Sequence, residues 1–303
     1  MRQITLVVVL ITAVALTIGC SQKEAAVALT EAPYYSSLQE AQKAVGSTGK
    51  PILVEFYTDW CKWCATIDTV VLTDSAAIEF FSSEMILVKI NAGKDTVVTA
   101  KNDTIYAKDL AEKYHISGYP TIVMLDTDGV EIDRLVGYLP PAEFIKTFRN
   151  YGKGIGTLAD LLGKVETKPD RSLYYRIAEK YKYRGGSEEA VKWFQRIIDE
   201  GSPTDSLSGE SRMALADLMR RNKDYDKAIG NYALIAKDFK GKEIGENAEV
   251  WTAITFRQKG DTAEAIKRLE DYVKAHPESK DNVTYCQKQI ENLKGTKDKK
   301  AEK

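Results

Sequence analysis

Residues 51–64 read Pro51-Ile52-Leu53-Val54-Glu55-Phe56-Tyr57-Thr58-Asp59-Trp60-Cys61-Lys62-Trp63-Cys64. Residues 52–57 form a continuous β-prone run, as expected of a strand covered on both faces. A helix is predicted to open at about Cys61. A thiol there has its thiolate stabilised by the helix dipole and by free backbone N–H groups, so its pKa falls. Lys62 adds positive charge beside it. Two intervening residues put the second thiol one turn along, close enough to close a small disulfide. Cys61 is therefore expected to be the exposed nucleophile and Cys64 the more buried resolving thiol. A Cys-x-x-Cys pair is also half of a zinc site. The other cysteines, Cys20 and Cys286, and the two histidines, His115 and His276, supply no second pair to complete tetrahedral coordination. No metal site is expected.

On either side of this stretch, strand and helix signals alternate. Helices are predicted over residues 38–45, 106–114 and 141–151, and strands over 86–90 and 121–125. Asp128-Gly129 predicts a hairpin into a further strand at 131–136. A calcium loop at Asp126–Gly129 lacks the full ligand pattern, and the turn accounts for those residues. The polar residues 93–104 read as a surface loop, and His115 as a loop or packing residue. Alternation of this kind argues for an α/β layered domain over residues 34–152.

Glycines at 152–156 and a polar stretch with Pro169 mark a linker at residues 153–170. Beyond it strand signals vanish and the chain becomes repetitive. Ala190-Val191, Ala228-Ile229 and Ala265-Ile266 recur at spacings of 38 and 37 residues. Twelve residues before each pair stand Ala178, Ala216 and Ala253; nine before stand Tyr181, Met219 and Phe256. Four after each alanine stand Phe194, Tyr232 and Leu269. Small residues at these positions let two helices approach closely. A closing helix is predicted at 279–294, with Cys286 at an apolar position as a buried free thiol or an intermolecular disulfide. The charged residues 296–303 read as a disordered tail.

With 43 Lys+Arg against 44 Asp+Glu in 303 residues, the net charge of -1 argues against nucleic-acid binding. The length accommodates about two domains. The 4 cysteines are too few for a disulfide-stapled scaffold of this size. At the N-terminus, Arg2 precedes an apolar run at 4–18, shorter than the roughly twenty residues that span a bilayer. The end of that run, Leu16-Thr17-Ile18-Gly19-Cys20, resembles a bacterial lipobox. The resemblance implies a signal peptide over 1–19, a lipid on Cys20, and a tether over 20–33. Ser21 after the cysteine favours the outer membrane, with the chain facing the periplasm of a bacterial envelope.

The 52–64 segment, together with Gly118-Tyr119-Pro120-Thr121 and Val136-Gly137, resembles thioredoxin over about 110 residues. The resemblance implies a thioredoxin-like fold, a cis Pro120 facing the disulfide, and a late glycine at Gly137 beside the substrate groove. It places Glu55 as the buried acid that handles the proton of Cys64, and Lys89 as its neighbour. Trp60, Lys62, Trp63, Tyr119 and Thr121 would contact substrate, with Trp60 reading equally as a packing residue. Lys62-Trp63 replaces the family's Gly-Pro and Glu55 its Asp, and the dipeptide helps set redox poise. The Asp59-Trp60-Cys-x-x-Cys form is similar to the terminal domains of envelope thiol–disulfide interchange proteins, which favours a reducing or shuttling role on protein disulfides. The dithiol is itself the redox group, so no free cofactor is expected. The C-terminal pattern resembles tetratricopeptide repeats, whose stacked helix pairs form a concave surface for a protein or peptide. The competing reading is an envelope scaffold or adaptor in which the first domain serves recognition.

Overall fold

A computed structural model describes residues 30–94, 96–99 and 101–301. The expected leader, Cys20 and most of the expected tether lie outside them. Among the described residues, no helix is long and apolar enough to cross a membrane.

The first half is built on a five-stranded sheet of β1 (Tyr34–Tyr35), β2 (Ile52–Tyr57), β3 (Ile86–Asn91), β6 (Thr121–Leu125) and β7 (Glu131–Val136), in the order β1-β3-β2-β6-β7. β1, β3 and β2 run parallel, while β6 and β7 are antiparallel to their neighbours. β2 sits at the centre because both of its faces are apolar. Its alternation sends Ile52, Val54 and Phe56 to one core, under α1 (Leu38–Thr48) and α4 (Ala107–Lys113). Leu53 goes to the other, under α3 (Ser75–Ser83) and α5 (Pro141–Gly152). Glu55 shares the second face with Leu53 and pairs in register with Lys89 on β3. Two charged side chains thus point into the layer that also holds the redox helix, α2 (Lys62–Thr66).

Three local expectations change. The single helix expected after Cys61 is α2, a π-helical turn at Ile67–Val71 and then α3, which restarts where the Asp74 carboxylate accepts from the N–H groups of Ala76 and Ala77. The loop expected at 93–104 contains β4 (Thr96–Val98), paired with β5 (Thr104–Tyr106), and Val97 is buried in the first core. Three-residue strands carry too little periodicity to be read locally. The linker at 153–170 holds α6 (Leu158–Thr167), capped by the Thr157 hydroxyl and packed through Leu161 on Leu173 and Ile177.

The second half pairs α7 (Arg171–Lys182) with α8 (Ser187–Asp199), α9 (Ser206–Arg221) with α10 (Tyr225–Asp238), and α11 (Glu243–Lys259) with α12 (Thr262–Ala275). The six alanines that set the period are at most 1 % exposed, which explains why only small residues stand there. α13 (Lys280–Ala301) closes the stack over Cys286, which is buried and free; the tail expected to be disordered is helical as far as Ala301.

A buried charge cluster joins the halves. Asp133 on β7 is fully buried, accepts from Lys180 Nζ at 2.7 Å and the Leu158 N–H at 2.8 Å, and forms an ion pair with Arg184 Nη2 at 2.8 Å. Beside it, Arg134 donates to the carbonyls of Tyr114 and Tyr183, both at 2.7 Å. His115 is exposed, and its ring lies against Gly185 where the two halves meet. A side chain at Gly185 would collide with that ring, and φ there is +77°, so glycine is required twice over. Charges this well paired are costly to break from one side.

Candidate functional site

Cys61 occupies the N-cap of α2, and its sulfur accepts from the N–H of Cys64 at 3.1 Å. The two cysteines form a disulfide with Cα atoms 5.3 Å apart. Cys61 is 7 % exposed and Cys64 2 %. Cys61 is thus the more accessible of the two, but it is far less open than a helix-tip nucleophile is expected to be. The backbone donor aimed at its sulfur is the physical means of stabilising a thiolate there.

The flanking tryptophans are surface residues. Trp60 is 77 % exposed and meets Tyr119 edge-on at 5.8 Å; Trp63 is 55 % exposed and stacks on Tyr138 at 5.6 Å. These contacts bring the α2 tip beside two loops, one ending in the cis peptide Tyr119–Pro120 and one starting at Gly137. The loops are tied by the Gly137 N–H donating to the Pro120 carbonyl at 2.9 Å, with Gly137 at φ +93°. Lys62 is exposed at the rim. Thr121 is only 1 % exposed and its hydroxyl donates to the Gly118 carbonyl at 2.8 Å, so it shapes the loop and does not face solvent as a substrate contact must.

Beneath the sheet surface, Glu55 is 1 % exposed and Lys89 Nζ stands 3.6 Å from its carboxylate, an ion-pair contact too long for a hydrogen bond. Neither Glu55 oxygen has a hydrogen-bond partner among the described residues, and the Thr58 hydroxyl is in the same state. Lys89 gives its short hydrogen bond to Asp68 instead, and its ammonium lies over the Tyr57 and Tyr34 rings at 5.0 and 5.5 Å. Burial pushes the Glu55 carboxyl up to about 7; Lys89 opposes that and Asp68 adds to it. Burial also works against the Lys89 ammonium, but Glu55 and Asp68 outweigh it and hold its pKa above the ordinary value. The arrangement leaves a buried carboxyl near neutrality on the sheet face that also carries Leu53.

Asp68 and Tyr138 escaped the sequence reading. Asp68 comes four residues after Cys64, one helical turn, and a lone acid at that spacing in an otherwise apolar stretch was a usable signal. Tyr138 directly follows Gly137 but carries no motif of its own. His276, the residue that caps the C-terminal end of α12, stacks on Tyr272 and contacts Glu249 at 3.1 Å.

A cysteine pair at a helix tip, a cis-proline loop and a buried acid on the central strand define a thioredoxin-like domain. Residues 38–152 match the family model described as a thioredoxin-like domain, and residues 247–279 match that of a tetratricopeptide repeat. The chain therefore consists of a thioredoxin-like α/β half followed by a tetratricopeptide-like helical half. It is 30 % identical over 112 residues to the thiol:disulfide interchange protein DsbD of Actinobacillus pleuropneumoniae serotype 5b (strain L20), covering 36 % of this chain and 18 % of that protein. It is likewise 30 % identical over 95 residues to a protein disulfide-isomerase of Schizosaccharomyces pombe (strain 972 / ATCC 24843), covering 31 % and 23 %. Among solved structures, a thioredoxin from Thermus thermophilus matches 46 % of this chain and 97 % of its own at 23 % identity and a TM-score of 0.35. The chain spans less than a quarter of the length of these curated relatives.

Proposed function

We propose that this protein is a thiol–disulfide oxidoreductase acting on protein disulfides of the bacterial envelope, in a reducing or shuttling role. The observation that carries the reading is the Cys61–Cys64 disulfide at a helix N-cap, beside the cis Tyr119–Pro120 bond and on the face that holds Glu55. In the reduced protein the Cys61 thiolate attacks one sulfur of a substrate disulfide. The S–S bond breaks, a mixed disulfide forms, and the other substrate sulfur leaves as a thiolate. Glu55, held ready by Lys89 and Asp68, takes the proton of Cys64. The Cys64 thiolate then attacks Cys61 Sγ, releasing the second substrate sulfur and leaving the Cys61–Cys64 disulfide. Two electrons pass to the substrate, and a dithiol partner returns them.

Backbone beside Pro120 holds the substrate chain extended, with Trp60, Trp63, Lys62 and Tyr119 at its flanks and Gly137 leaving room. The repeats dock a partner protein, and a lipid on Cys20 tethers the chain to the membrane, the outer one being favoured by Ser21. The tether is tested separately: Cys20→Ala should move the protein out of the membrane fraction. For the reaction, Cys61→Ser should abolish reduction of insulin disulfides, and Cys64→Ser should accumulate mixed disulfides with envelope proteins. Equal reductase rates for wild type and Cys61→Ser would overturn the reading.

A further inference from the structure

In the last repeat, one imidazole is met by three carboxylates. His276, the C-terminal cap of α12, has Nδ1 3.8 Å from Glu246 Oε1 and 3.9 Å from Glu278 Oε1. One donor atom each from Glu246, His276 and Glu278 lies within 4.8 Å of the other two. On the opposite edge of the ring, Nε2 stands 3.1 Å from Glu249 Oε2. Glu246 and Glu249 lie on α11, about one turn apart, while His276 and Glu278 lie between α12 and α13. Among the described residues, no lysine or arginine pairs with any of the three glutamates. Three carboxylates thus converge on a ring that can carry at most one positive charge.

The surrounding hydrogen bonds leave one side of the ring open. Glu246 Oε2 accepts from the Ser279 hydroxyl at 2.6 Å and from the Tyr272 hydroxyl at 3.2 Å, which turns Oε1 toward His276. Tyr272 also stacks on the imidazole at 4.6 Å and accepts from Asn282 at 3.1 Å, so one side chain holds both ring and carboxylate. With Glu249 accepting at Nε2, the proton of the neutral ring sits there and Nδ1 presents a lone pair. Nδ1 and the two Oε1 atoms are then three acceptors facing one another, at distances too long for hydrogen bonds. Donors bound tetrahedrally at about 2.1 Å from an ion lie about 3.4 Å apart, so closing on one requires a shift of only about half an ångström. A carboxylate on the far nitrogen is the usual support of a metal-ligating histidine. The C-terminal end of α12 adds the negative end of its dipole.

We propose that His276 Nδ1, Glu246 Oε1 and Glu278 Oε1 bind a zinc-class divalent cation, with Glu249 as the residue that orients the imidazole. The nitrogen donor selects borderline transition ions over calcium and magnesium, which take oxygen donors. Three protein donors leave the fourth tetrahedral position to water. The ion ties the first turns of α11 to the turn leading into α13, and so staples the closing helix to the last helix pair. No Cys/His motif announces the site in the sequence, because its ligands stand at positions 246, 276 and 278 and meet only when α11 pairs with α12. The site lies in the repeat half and is independent of the oxidoreductase reading.

The test uses the full oxidised chain, in which Cys61 and Cys64 are held as a disulfide and cannot take the metal. After chelation, calorimetric titration with zinc chloride should give one saturable site with a Kd of about 10 μM or tighter. Free zinc at about 100 times Kd should raise the thermal unfolding midpoint by about 5 °C. The Glu278 side chain is 70 % exposed, so Glu278→Gln should fold normally and weaken zinc binding at least about tenfold, as should Glu246→Gln. Glu249→Gln should weaken it roughly tenfold by freeing the ring to turn. In nitrogen NMR the zinc-induced shift should fall on His276 Nδ1, with the proton kept on Nε2. No saturable zinc binding by wild type would overturn the proposal. So would an affinity unchanged in both Glu278→Gln and Glu246→Gln, a zinc-induced shift at Nε2 instead of Nδ1, or displacement of the zinc by an equal concentration of calcium or magnesium.

Discussion

Glu55→Gln keeps the shape of the side chain and removes its charge, which makes it a direct probe of the buried acid. A carboxyl raised from 4.5 to about 7 binds its proton more tightly in the folded state than in the unfolded chain. Its contribution to stability is therefore present in full below pH 4.5 and is lost as the pH rises through about 7. The 4.5-to-7 difference corresponds to about 3 kcal/mol at pH well above 7. Glu55 is only 1 % exposed, so solvent screening takes little from that figure. The glutamine variant has no ionisation to suffer, and Lys89 keeps its bond to Asp68. Relative to wild type, Glu55→Gln should gain about 3 kcal/mol between acid and pH values above 8. The oxidised full chain should be compared by hydrogen exchange at the amides of Leu53 and Phe56, on the strand that carries Glu55. Taking the wild-type-minus-variant difference cancels every other titrating group. A difference that does not change between pH 4 and pH 8.5 would refute the reasoning, because Glu55 would then titrate alike in both states.

Other perturbations reach different parts of the molecule. Asp68→Asn removes a charge that raises the Glu55 pKa and frees Lys89 to turn toward Glu55, so the Glu55 carboxyl should titrate at lower pH, as read by its carbon chemical shift. Asp133→Ala leaves Lys180 and Arg184 without the carboxylate they share and should cost about 3–5 kcal/mol in denaturant unfolding; a loss under 1 kcal/mol would mean the cluster is not holding the halves together. Gly137→Ala forces a side chain to φ +93°, at a cost of about 1–3 kcal/mol, and should slow reduction by displacing the Pro120 loop. Burial pushes the Cys286 thiol up to about 11, so in the native protein it should resist alkylation at pH 8 and react only on unfolding.

Much of the site was readable because its signals are local. The run at residues 52–57, the two-residue spacing of Cys61 and Cys64, and the Pro120 and Gly137 motifs all lie within single elements or turns. The repeat registers were readable for the same reason: one alanine per helix has to be small wherever two helices cross, and the period follows. The errors share one cause. α6 reads as a linker because its Gly and polar flanks outweigh a single buried Leu161. β4 and β5 read as loop because Val97 finds its partners on α1 and α4, far away in sequence. Thr121 reads as a substrate contact until its hydroxyl is seen turned back to Gly118.

The sequence by itself determined the two architectures, the redox pair and the identity of the buried acid, because spacing and periodicity act over a few residues. Only the tertiary structure decided how that acid is poised. Lys89 lies 34 positions from Glu55 and 21 from Asp68; its choice of Asp68 as hydrogen-bond partner depends on how β3 and the turn after α2 pack. It also decided that the halves are joined, through Asp133 on β7, Lys180 on α7 and Arg184 just after that helix, and that Arg221 on α9 reaches the Ser117 carbonyl in the loop before Pro120. Charges separated by tens of residues acquire partners only once the chain has folded.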